Sequence, residues 1–290
     1  MAVLLFGVAE TCLATGISAK TIDELLSSYH ARESKKVPDL EKKAAKGDAK
    51  AAWQLFGFYS SSPSFPFQGG YLVVLLHEGK ATFWLRRSAE LGWPDAERLL
   101  AFAIKNLNLN PAKFGKSQQE AVYSLYLKAA KKHASSACKE LAECYESGYG
   151  GRRSLSAARY WYTEGARSDS NYCWRKAAEY LFEGKGGPPD LEEGYFWISA
   201  EHLCFDPQFT RANEDFKIRK QYEKQLTLVQ LERVWKRLDS FIEQAWAGKL
   251  KLDNQPFLGK GTHKSRLQEL RKSVVDLEDA HRLELRNNRN

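Results

Sequence analysis

The sequence predicts an all-α protein: an α-solenoid of stacked helix pairs with capping helices at both ends. Three observations carry this expectation. Trp161 and Trp197 stand 36 residues apart, each inside an amphipathic segment, AARYWYTEGA and EEGYFWISAE. Gly148 and Gly184 are separated by the same 36 residues and end the preceding segments, CKELAECYESG and RKAAEYLFEG. A further step of 36 back from Trp161 and Tyr162 reaches Leu125 and Tyr126 in AVYSLYLKAA. A period between about 20 and 50 residues marks supersecondary units that bury their apolar faces against one another rather than in one globular core.

Composition agrees with a folded chain. Of the 290 residues, 43% are hydrophobic and 28% charged, too apolar for general disorder. A formal net charge of +8 admits nucleic acid, an anionic membrane surface or an acidic protein as partner and selects none of them. The five cysteines (Cys12, Cys138, Cys144, Cys173, Cys204) form no C-x-x-C pair and no spacing with histidine that suits zinc. We read them as buried free thiols, the alternative in an exported chain being that some of the last four are joined.

Taken in order, residues 1–19 open on AVLLFGVA and continue into the small-residue segment LATGISA. We expect a secretory signal cleaved after Ala14 or Ala19, the alternative being an N-terminal helix packed on the array. No run approaches the roughly 18–20 apolar residues of a membrane span. Residues 20–39 are expected to form an N-terminal capping helix, with Thr21 or Asp23 as its cap and Pro38 as an interruption. The array follows over residues 40–203. Four sets share one spacing: Ala44, Gly47, Ala51, Leu55; Ala89, Gly92, Ala96, Leu100; Ala130, His133, Ala137, Leu141; and Ala166, Asp169, Cys173, Ala177. Each joins the end of one helix to the start of the next. Small residues let the two helices approach, and the Gly, His or Asp between them breaks the helix.

Two connectors interrupt the regularity. Ser60 to Gly79 is rich in Ser, Pro and Gly, so it cannot be one helix; it reads as a flap or a loop on a binding face. Asn106 to Lys116 lengthens one step, which is why Ala89 and Ala130 are 41 residues apart. The last unit, PPDLEEGYFWISAEHL, places Glu201 and His202 where small residues stood before, as a terminating repeat does. Residues 204–290 lose the period. LVQLERVWKRLDSFIEQAW should bury Leu228, Leu231, Val234, Trp235, Leu238 and Phe241 against the last repeat. SRLQELRKSVVDLEDAHRLEL reads as a final, thinly apolar helix.

No catalytic constellation emerges. The six histidines (His30, His77, His133, His202, His263, His281) fall on separate elements, and we expect no metal and no cofactor. Glu192 and Glu193 sit near a helix start, where carboxylates favour the dipole. GYGG and GKGG lack the ending of a phosphate loop and read as turns in the repeat frame. The recurring tryptophans Trp84, Trp161 and Trp197 read as core. Positions that the repeat leaves free are more informative: Trp53, Arg98, Lys139 and Arg175, and one residue further Gln54, Leu99, Glu140 and Lys176. Lining a concave face, Trp53, Gln54, Arg98, Lys139, Glu140, Arg175 and Lys176 would make a mostly basic, protein-binding groove.

The pattern A-x-x-W-[YL]-x-x-[AS]-A-x-x-G-x-x-x-A-x-x-x-L in Ala81 to Leu100 resembles the Sel1-like repeat, a relative of tetratricopeptide repeats. So do the Gly-containing turns ESGYGG and FEGKGG and the 36-residue step. The resemblance covers about Leu40 to Leu203, and KQLTLVQLERVWKRL is similar to the helix that often follows such arrays. It implies a right-handed stack of helix pairs that binds proteins without catalysis, working as an adaptor or scaffold. Some such proteins are exported and serve as immunity proteins of phospholipase-type effectors of type VI secretion. We therefore expect a monomeric, periplasmic or exported immunity protein that blocks a secreted lipase toxin. The alternatives are a cytosolic regulatory adaptor and a basic solenoid that binds nucleic acid, for which the array shows no repeated base-reading code.

Overall fold

A computed structural model describes residues 32–60, 79–107, 117–134, 137–168, 171–204 and 212–246, together with Ser265, Gln268 and Lys272. The expected secretory signal, the helix over 21–31, the body of the loop before Gly79 and nearly all of the final helix lie outside these residues. What is described is helical. In chain order the helices are α1 (Val37–Ala45), α2 (Ala49–Ser60), α3 (Lys80–Glu90), α4 (Pro94–Leu107), α5 (Gln118–Lys131), α6 (Ala137–Ser147), α7 (Leu155–Arg167), α8 (Asn171–Phe182), α9 (Leu191–Cys204), α10 (Ala212–Glu223) and α11 (Leu228–Trp246). The break expected at Pro38 is present: residues 32–34 are helical, 35–36 form a turn, and α1 begins at Val37 with Pro38 in its first turn, where its missing N–H costs nothing.

The chain divides into two units: the described residues up to Ala137 with Tyr149–Arg152, and Cys138–Gly148 with the described residues from Arg153 onward. In the first unit each helix packs on its successor from α1 to α5. In the second, α7 packs on α8 and α8 on α9, and α9 receives both α10 and α11.

The small-residue spacing seen in the sequence does what it predicts. All twelve positions of the four sets, apart from the turn residues, are buried. The turns themselves share one geometry. Gly47, Gly92 and His133 have φ of +98°, +87° and +57°. Each donates its N–H to the carbonyl three residues back, and the next residue donates to the carbonyl five back: Asp48 to Lys43, Trp93 to Ser88 and Ala134 to Ala129. This double bond pattern closes the helix end in a left-handed turn, which glycine enters freely and histidine only at a cost.

Some starts carry side-chain caps, whereas α1 and α3 have none. The Asp48 carboxylate accepts from the Ala51 N–H to begin α2, Ser117 and Glu120 form a reciprocal capping box on α5, Ser154 caps α7, and Asp190 caps α9.

The tryptophan landmark needs correction. Trp197 is buried, but Trp84 and Trp161 are only half-buried. The deep position is the following residue, Leu85, Tyr126, Tyr162 and Ile198, each fully buried. The reason is helical phase. Ala81, Leu85 and Ala89, or Ala158, Tyr162 and Ala166, lie on one stripe four residues apart, and the tryptophan falls on its edge.

Helix α11 buries Leu231, Val234, Trp235 and Leu238 as expected, and Ile242 besides. Leu228 is half-buried, and the half-buried Phe241 ring meets Trp174, Phe196 and Trp197 edge-on. Helix α11 is therefore the lid on the last repeat.

Candidate functional site

The leading helices of the repeats carry an aromatic pair at one register. Phe83 and Trp84 on α3, Tyr160 and Trp161 on α7, and Phe196 and Trp197 on α9 are each in edge-on contact, with centroids 4.9, 5.1 and 4.9 Å apart. What covers the first member differs. Phe83 is 59% exposed and Tyr160 55%, whereas Phe196 is 4% exposed. Helix α11 makes the difference. The Arg237 guanidinium lies over the Phe196 ring, 4.5 Å from its centroid, and donates to Glu193 at 2.6 Å; Arg233 donates to Glu192 at 2.7 Å. Glu192 and Glu193 thus do more than favour the helix dipole: they pair with the capping helix.

The residues expected to line one groove are distributed as follows. Trp53, Gln54 and Arg98 belong to the first unit; Lys139, Glu140, Arg175 and Lys176 belong to the second. Trp53 and Gln54 do come together, in a cleft of about 710 Å³ that also takes in Lys50, Phe58 and Trp93. Arg175 lines a separate cleft of about 470 Å³, walled by Glu179, Glu183, Phe182, Ile198 and Tyr222. The two lysines have local partners: Lys139 pairs with Glu143 at 3.4 Å, and Lys176 with Glu179 at 3.5 Å and Glu146 at 3.9 Å.

Around the second cleft the titratable groups are tightly coupled. Phe182 and Tyr222 stack with centroids 3.4 Å apart, and burial, reinforced by Glu183 and Glu179, pushes the Tyr222 hydroxyl up to about 12. Burial also works to raise the Glu179 carboxyl, but hydrogen bonds and charge from Lys185 and Lys176 outweigh it and hold the group below its ordinary range. Tyr162, whose hydroxyl donates to Glu146 at 2.9 Å, is pushed up by burial and by that carboxylate.

Sequence reasoning missed three buried charges. Arg219 on α10 is 1% exposed and bonds Glu223 at 2.6 Å; Glu223, 5% exposed, also accepts from Tyr195 at 3.1 Å and Lys220 at 2.7 Å. Glu97, 2% exposed, is gripped by Lys132, whose ammonium also donates to the carbonyl of Gly92. Spacing offered one hint only: Arg219 and Glu223 are four apart on a helix.

The thiols are as expected among the described residues. Cys138, Cys144 and Cys173 are buried thiols outside any disulfide, and burial, with Glu164 and Glu140 nearby, raises the Cys138 thiol to about 11, far from a reactive thiolate. Among the described residues no group of His, Cys, Asp and Glu is arranged to hold a metal, and no helix is long and apolar enough to cross a membrane.

This architecture of paired helices is that of the Sel1-repeat (SLR) solenoid. A protective antigen of uropathogenic Escherichia coli that displays an SLR fold aligns with a TM-score of 0.55 at 19% identity, over 83% of this chain. The chain spans about half the length of that protein, 49% of it. A Sel1 repeat protein from Oxalobacter formigenes, 22% identical, aligns over 50% of this chain and 98% of its own with a TM-score of 0.41. No family model matches the chain.

Proposed function

We propose that the protein is a non-enzymatic, protein-binding scaffold. One observation carries the reading: at a single repeat register the aromatic side chain is covered by a docked helix on α9 and left bare on α3 and α7. Bare Phe and Tyr at recurring positions are the anchors that protein interfaces favour, and each still offers a partner somewhat over half of the about 150–250 Å² that an aromatic residue can bury. The narrower reading is an exported immunity protein that occludes a secreted lipase, and it rests on the repeat family's known uses.

Affinity capture on the full tagged chain tests both. Wild-type protein should retain a stoichiometric protein partner that the double variant Phe83→Ser/Tyr160→Ser loses while keeping its melting temperature. A partner of lipase type, together with a mature N-terminus after Ala14 or Ala19, supports the narrower reading. Retention of nucleic acid with a steep salt dependence instead of a protein, or equal retention by the variant, overturns the proposal.

A further inference from the structure

We infer that the 710 Å³ cleft of the first unit is a docking site for an acidic peptide segment of a partner, anchored by one large apolar side chain. The inference rests on the protein-binding reading above and adds a second, chemically defined site to it.

The cleft has an apolar floor and a cationic rim. Its volume falls within the about 300–1,000 Å³ of ordinary ligand pockets, room enough for an aromatic or branched side chain. Trp53, Phe58 and Leu40, all only partly buried, supply apolar surface. On the rim stand three cations, Arg32, Lys36 and Lys50, against a single carboxylate, Glu33. That carboxylate is already engaged: Lys36 donates to its two oxygens at 2.8 and 3.0 Å, and Arg32 lies 3.5 Å away. Lys50 is exposed and has no acidic partner among the described residues.

One neutral group adds direction. Gln54 is exposed and carries both a donor and an acceptor suited to a peptide backbone. Charge therefore selects an acidic ligand, the floor selects one with an apolar anchor, and Gln54 suits a chain with backbone amides.

The test uses the full chain and fluorescein-labelled nonapeptides with blocked ends, followed by anisotropy. One has a central Phe flanked by Glu, one a central Ala flanked by Glu, and one a central Phe flanked by Lys. The Glu/Phe peptide should bind at low salt, at least tenfold more tightly than either of the others, and Lys50→Glu should weaken it about tenfold. Trp53→Leu should weaken the Glu/Phe peptide and leave the Glu/Ala peptide unchanged. Equal binding of the Lys-flanked peptide, no effect of Lys50→Glu, absence of binding, or displacement by a single-stranded oligonucleotide would overturn the site. Partner capture through Phe83 and Tyr160 is read separately with Lys50→Glu. If capture persists while the peptide fails, only the cleft falls; if no protein is captured at all, the scaffold reading falls with it.

Discussion

Helices α7 and α9 are the equivalent leading helices of successive repeats, and they meet opposite fates. Both present an aromatic pair at the same register, yet Tyr160 on α7 is open to solvent and Phe196 on α9 lies beneath α11. The difference is the apolar face of α11, which covers Phe196, and the charges that precede the pair accompany it. Glu192 and Glu193 stand one turn before Phe196 and receive Arg233 and Arg237, whereas α7 has Ser156 and Ala157 there. These ion pairs mark where α11 docks, and the burial that holds it is apolar, through Leu231, Val234, Trp235 and Leu238.

The comparison breaks most severely at the buried charges beneath the lid. Arg219→Met leaves Glu223 with Lys220 and Tyr195 alone and should cost about 3 kcal/mol, the low end for loss of one partner of a buried pair. Arg219→Met/Glu223→Leu should recover most of that loss, and chemical denaturation of the three variants measures the coupling. Next comes the lid itself. Leu238→Ala, at a fully buried site, should destabilise the second unit by about 2–5 kcal/mol and shift Trp197 emission to the red as α11 loosens. Glu193→Ala removes an ion pair whose arginine is half-exposed, so its cost should be about 1 kcal/mol or less and fade with salt.

Alkali should weaken the second unit. Tyr162, Tyr180, Tyr195 and Tyr222, all in the second unit, are held above the ordinary tyrosine value of 10.0, first by burial. Raised folded values mean that stability is complete below that pH and is lost as pH rises through them, beginning on the way to about 12 at Tyr222. Hydrogen-exchange protection of α7 to α9 should therefore fall across that window.

The smallest effects lie in the turns. His133→Gly should stabilise by about 0.5–1 kcal/mol, because it relieves a left-handed histidine, and Gly47→Ala should destabilise by a similar amount although a Cβ there meets nothing closer than Leu91 at 4.0 Å. Gly165→Ala behaves otherwise: its Cβ would press on Cys173 and, at 2.9 Å, on Cys138, an overpacking cost of about 1–3 kcal/mol.

Much of this was legible in the sequence because repetition is a local signal. The 36-residue step located the helix pairs, and the Ala–Gly–Ala–Leu spacing gave turns whose left-handed φ angles the structure displays at Gly47, Gly92 and His133. The tryptophans misled by one residue, since a period reports equivalence and not which side of the stripe a residue occupies. The clefts were half legible: Trp53 and Gln54 follow from the repeat frame, but Trp93 enters only because the turn after Gly92 carries an aromatic where the turns after Gly47 and His133 carry Asp48 and Ala134. Pairs such as Tyr195 with Glu223, or Lys132 with Glu97, are tertiary and leave no trace in spacing.

Amide hydrogen exchange on the full chain, free and saturated with its captured protein partner, puts the comparison of bare and covered faces to trial. Added protection along α3 and α7, with α9 and α11 unchanged, is the predicted result. Protection confined to α9 and α11, or none on α3 and α7, would contradict it, because the partner would then be ignoring the aromatic faces that the fold leaves open.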